Sequence, residues 1–152
     1  MKLERKSIQN LVFLRLNPGD DLLTAIQEAV EKNGVKNAVI LSGVGSVISH
    51  SYHVVASPVN PPKNEFVKGD RPADIVNIDG FIINNRVHAH IIFSDTNIAY
   101  GGHLELGAEV LTFAILTLAE VDADFDQWDS IGNIEDLLKQ KTTSRRRGKA
   151  GH

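Results

Sequence analysis

Residues 75–106 read IVNIDGFIINNRVHAHIIFSDTNIAYGGHLEL, and this stretch decides the fold class. Ile75–Ile83 and Val87–Phe93 are runs rich in β-branched side chains. Asn84-Asn85 between them suits the left-handed backbone of a tight hairpin turn. Ser94-Asp95-Thr96-Asn97 makes a second turn, and Ile98–Leu106 a third strand. Strands joined by turns this short can only run antiparallel. Val110–Val121 adds another strand.

Upstream, Asn10–Leu16 reads as a strand and Pro18-Gly19-Asp20 as a turn into a helix. Leu22, Leu23, Ile26, Ala29 and Val30 recur at helical spacing over Asp21–Asn33, with Asp20 the expected N-cap and Gly34 the expected stop. Asn37–Ser42 is a short apolar strand, so this strand–helix–strand unit predicts a crossover with parallel pairing. Gly43-Val44-Gly45-Ser46 is read as a glycine turn. It is not a dinucleotide loop, because the β-branched run after it opens no helix. Ser57–Arg71 holds three of the five prolines and is expected to be a long loop. Near the C-terminus, Ile134, Leu137 and Leu138 predict a short helix capped by Asn133, and everything after Gln140 is expected to be disordered. The expectation is an α+β fold with a mostly antiparallel sheet and one main helix. The domain covers 1–138, and 139–152 is a basic tail.

Composition narrows the function. The 152 residues, 42% apolar and 23% charged, suit one globular domain. No cysteine is present, which excludes disulfides, thiolate metal sites and cysteine nucleophiles. Neither a signal peptide nor a membrane-length apolar run is read in the sequence, so a cytoplasmic protein is expected. The net charge of −3 is an average over two unlike parts. Up to Leu138 there are ten basic and nineteen acidic residues, a net of −9; from Lys139 on there are six basic residues and no acid. Only the tail, with Arg145, Arg146, Arg147 and Lys149, suits a polyanion such as DNA.

His88, His90 and His103 fall in one predicted hairpin. Residues two apart on a strand share a face. A turn centred on Asp95 and Thr96 sets His103 opposite His88 or His90, with the same parity. Three imidazoles from adjacent strands are a ligand set for zinc or a similar divalent ion. Water is the expected fourth ligand, or Glu105 if it lies across from His88. Gly101 and Gly102 allow close backbone approach. His50 and His53 face opposite sides of their strand and are read as unrelated. Asp122-x-Asp124-x-Asp126 begins like a calcium loop, but Gln127 stands where that loop needs glycine. No nucleophile–base arrangement stands out, so no catalytic residue is assigned. The alternatives are a metal-dependent, hydrolase-like enzyme on the three histidines, or a cupin-like metal barrel.

Four ordered stretches then resemble the PPC domain, which is shared by plants and prokaryotes and occurs in plant AT-hook nuclear proteins. They are Arg15-Leu16-x-x-Gly19-x-Asp21-Leu22-Leu23, Val39-Ile40-Leu41-Ser42-Gly43-Val44-Gly45-Ser46, Asp74-Ile75-Val76-Asn77-Ile78-Asp79-Gly80, and His88-Ala89-His90 with Gly101-Gly102-His103-Leu104. The resemblance implies a PPC-domain α+β fold with a bent antiparallel sheet and a homotrimer. It also implies a metal site on His88, His90 and His103, as in stand-alone prokaryotic members. It brings the expectation of a DNA-binding or regulatory role, which Arg147-Gly148-Lys149 meets poorly, since it lacks the form of a proper AT-hook.

Overall fold

The computed structural model describes residues 1–149, with side chains through Thr143. Its elements in chain order are β1 (Ile8–Leu16), α1 (Leu22–Lys32), β2 (Ala38–Val47), β3 (His50–Ser57), β4 (Lys63–Gly69), β5 (Ala73–Ile83), β6 (Arg86–Ser94), β7 (Ala99–Leu104), β8 (Val110–Val121) and α2 (Glu135–Lys149). Among the described residues all eight strands form one sheet, ordered β1-β8-β2-β5-β6-β7-β3-β4. Every neighbouring pair is antiparallel.

The meander of β5, β6 and β7 forms as its sequence predicts. Asn84 and Asn85 both take positive φ, 50° and 63°, the backbone that a two-residue hairpin turn requires. In the next turn Asp95 Oδ1 accepts from the backbone N–H groups of Asn97 (2.7 Å) and Ile98 (3.0 Å). That closes an Asx-type turn.

The helix starts one residue later than expected. Asp21 is the N-cap, its carboxylate accepting from Thr24 N at 3.0 Å, while Asp20 accepts from Asn17 N at 2.8 Å. Leu22, Ile26 and Val30 lie one helical turn apart and are buried. They join Ile40, Ile78, Ile82, Ile91, Phe93, Leu104, Leu116 and Leu118 in one core on the inner face of the sheet. Each such side chain contributes about 1.5–3 kcal/mol through burial.

Three expectations are corrected. β1 and β2 do not pair; β8 lies between them, with Ala119 facing Leu11 on one side and Val39 on the other. Its twelve residues alternate buried Ala114, Leu116 and Leu118 with outward side chains, so both of its edges can carry a ladder. Gly43–Ser46 is no turn but the interior of β2. There Gly45, at φ +154°, brings its backbone against β8 so closely that a Cβ would sit 2.0 Å from the Phe113 carbonyl oxygen. The expected loop at 57–71 contains β4, paired along β3 from His50–Gly69 to Ser57–Lys63. As a terminal strand with a free edge, β4 needs no apolar run, and its prolines precede it.

The outer face is unlike the core. On β1, β8 and β2 it exposes Leu11, Phe13, Leu111, Phe113, Ile115 and Val44. Farther along, β6 turns His88 and His90 outward between buried Val87, Ala89 and Ile91. At the C-terminus the helix foreseen around Leu137 runs to Lys149 as α2, so the segment expected to be disordered follows helical backbone that far. Residues 150–152 and the side chains of Arg145, Arg146, Arg147 and Lys149 lie outside the described residues.

Candidate metal centre

Strand register assembles the site. His90 pairs with His103 across β6 and β7, and His103 pairs with His53 across β7 and β3. Three imidazoles therefore stand in a row over three adjacent strands, with His88 two residues along β6. Ring centroids lie 4.5 Å apart for His53–His103, 4.8 Å for His88–His103, 5.4 Å for His90–His103 and 5.7 Å for His88–His90. The rings of the three histidines read from the sequence lie side by side, and His103 neighbours all the others. Gly101 and Gly102 let β7 in: a Cβ on Gly101 would lie 1.9 Å from the Ile91 carbonyl oxygen, and one on Gly102 2.3 Å from that of His53.

Two expectations change. Glu105 does not face His88. The chain leaves β7 at Leu104 and follows β3, with Glu105 N–H donating to Ser51 O at 3.1 Å. That carries the Glu105 carboxylate to His53 Nδ1 at 2.6 Å and to 3.9 Å from His103 Nδ1. His53, set aside in the sequence, is thus part of the cluster. No local signal marks it, because its place follows from β3 pairing with β7 some fifty residues away. His50 is separate: it is buried on the inner face against Tyr52, Phe93 and Tyr100, with Tyr100 Oη 3.3 Å from its Nδ1.

Oxygen partners hold the Nδ1 atoms of three rings. His53 Nδ1 meets Glu105 Oε1, His103 Nδ1 lies 3.0 Å from Leu104 O, and His88 Nδ1 lies 3.0 Å from Asp129 Oδ2. A carbonyl or carboxylate oxygen can only accept, so Nδ1 carries a proton, and in the neutral form of such a ring Nε2 holds the lone pair. Burial, and then the neighbouring His88, lowers the pKa of His90. Burial likewise lowers that of His103, against the opposing pull of Leu104 O. Neutral imidazoles with outward lone pairs are the form that binds metals. Ligand atoms of His53, His103 and Glu105 already lie within 4.8 Å of one another. Val54, Val55, Pro62, Asn64 and Ile131 wall a cleft of about 470 Å³ beside the rings. The residues present fit a divalent transition metal.

The sequence profile of the Plants and Prokaryotes Conserved (PCC) domain matches residues 3–122. The chain belongs to this family. The PCC domain accordingly contains every strand and all four clustered histidines, and the family replaces the cupin-like alternative. A metal-containing protein from Archaeoglobus fulgidus is 25% identical with a TM-score of 0.70, over 82% of this chain and 88% of that one. A plant- and prokaryote-conserved protein from Pyrococcus horikoshii is 21% identical with a TM-score of 0.67, over 82% and 87%. A protein from Bacteroides thetaiotaomicron, whose name proposes DNA binding, is 18% identical with a TM-score of 0.66, over 78% and 84%. No curated protein matches the chain at a significant level.

The lowered His90 and His103 pKa values set a pH dependence for the metal-free PCC domain. An unfolded histidine takes up its proton near pH 6.5, while the folded ones wait for a lower pH. Between those values the unfolded state binds more protons, so stability falls as pH is lowered from about 6.5 and is fully present above it. Thermal melts in chelator should show Tm decreasing from pH 7.5 to 5.5, with a shallower decrease in His103→Gln.

Proposed function

We propose that this PCC domain is a metal-binding protein that self-associates as a trimer, with a regulatory role in which the basic C-terminal segment contacts DNA. The observation that carries the metal reading is the clustering of four imidazoles, three of which, His53, His88 and His103, have Nδ1 tied back to oxygen. His88, His90 and His103 would hold the ion, with the His53–Glu105 pair beside them as further donors. A divalent ion such as zinc, when bound, supplies a Lewis-acid centre. The chain's own residues lower the pKa of His90 and His103, hold the Nδ1 side of His53, His88 and His103, and wall one side of the cleft. Metal analysis of protein reconstituted with zinc should give one ion per chain, lost in His90→Ala and His103→Ala. A wild-type chain that retains no metal against a weak chelator would overturn this reading.

Self-association is supported by the outer face of β1, β8 and β2. Phe13 is 70% exposed, Leu11 stands beside it on β1, and Ile115, Val44, Phe113 and Leu111 are exposed farther along β8 and β2. A contiguous apolar patch on a sheet face marks an interaction surface. Light scattering should give three times the chain mass, falling to one in a Phe13→Glu, Ile115→Glu double variant.

The acidic remainder of the chain, at −9, repels phosphate, which assigns any DNA contact to the segment from Lys139 on. The name of the Bacteroides relative points the same way. In gel-shift titrations, deletion of residues 141–152 should abolish binding. Affinity left unchanged by the deletion would reject this role for the tail.

A further inference from the structure

The segment that follows β8 lies beyond the residues matched to the family, yet it reaches the histidines. It is fastened first by Asn37 Nδ2, which donates to Ala123 O at 2.9 Å from a buried side chain. Phe125 then buries itself against Ile83, edge-on to Phe81 with centroids 5.6 Å apart, and packs on Trp128 at 5.4 Å. Gln127, at φ +57°, turns the chain, and N–H donation from Trp128 to Phe125 O and from Ser130 to Gln127 O closes the turn. The turn presents Asp129 to β6. Its Oδ2 lies 3.0 Å from His88 Nδ1 and 2.6 Å from Arg86 Nη2, with the side chain only 16% exposed. Two residues on, Ile131 joins the wall of the cleft beside His53, His88, His90 and His103.

We propose that Asp129 is a positioning residue for His88, and that residues 123–131 form a strap completing the histidine site from outside the family domain. The inference rests on the metal-binding reading above. A half-exposed imidazole that offers one ligand atom must have its tautomer and ring orientation chosen, and a carboxylate on the other nitrogen does both. Arg86 supports the arrangement by balancing the carboxylate, so that Asp129 serves as an acceptor for the ring. The two other tethers to Nδ1 come from Leu104 and Glu105, inside the family domain. Asp129 is the one that a chain ending at β8 would lack.

The test uses the full chain loaded with cobalt(II), whose visible absorption reports ligand geometry. Asp129→Ala should weaken cobalt affinity by about 10- to 100-fold, the usual effect of removing such an outer partner. It should also change the visible spectrum of whatever cobalt remains bound. Asp129→Asn, which keeps shape and an acceptor oxygen, should fall between the two. In the metal-free protein, nitrogen NMR should find the His88 proton on Nδ1 in wild type and mainly on Nε2 in Asp129→Ala. A merely structural role would lower Tm and leave tautomer, spectrum and affinity alone, and that result overturns the proposal. A wild-type chain that takes up no cobalt overturns the metal reading itself. Wild-type uptake with unchanged affinity and spectrum in Asp129→Ala overturns the positioning role alone.

Discussion

Everything distinctive here depends on the register that β7 keeps with its two neighbours. His103 pairs with His90 on one side and with His53 on the other, and a slip of one residue on either side would send an imidazole to the core face. Glycine at 101 and 102 makes that register possible, since side chains there would collide with carbonyl oxygens of both β6 and β3. The constraint is one of close approach between backbones. It explains why a short strand of six residues, Ala99–Leu104, can organise four rings drawn from three strands.

The sheet divides its labour by face. Helix α1 and the alternating apolar residues of β5, β6 and β8 close the inner face into a core, which leaves the outer face for function. That face is itself divided, with aliphatic and aromatic side chains on β1, β8 and β2, and imidazoles on β6, β7 and β3. The two regions are separated only by β5, whose Phe81 and Asp79 border His88 and His90 in register. A partner seated on the apolar half would therefore lie within a strand or two of the histidines, so the proposed assembly and the proposed site would share one surface.

Much of this was legible in the sequence, for reasons of range. The Asn84-Asn85 turn, the hairpin that sets His103 across from His88 or His90, and the apolar stripe of α1 all arise within a few residues of chain, where turn chemistry and periodicity act. What stayed hidden is nonlocal. The place of β8 between β1 and β2 needs contacts across the whole domain, and His53 enters the site only because β3 lies next to β7. The edge strand β4 was masked by its polar composition, and Glu105 by the early end of β7. Gly43–Ser46 resembled a turn because glycine serves close strand packing and tight bends equally well.

The charge at the site gives the chemistry its direction. Burial lowers the pKa of His90 and His103, so these two rings resist protonation. Around them stand Asp79 opposite His90, Glu105 on His53 and Asp129 on His88. Hydrogen bonds from His88 and Arg86 hold the Asp129 carboxyl below its ordinary pKa, so that it stays ionised. Protons could balance these carboxylates, but mutual repulsion and burial of the rings resist that. Under the metal-binding proposal a divalent cation would meet both requirements together, taking nitrogen lone pairs and neutralising the surrounding charge. The same acidity that repels phosphate from residues 1–138 would favour a cation at this face, while the positive charge of the sequence is concentrated from Lys139 on.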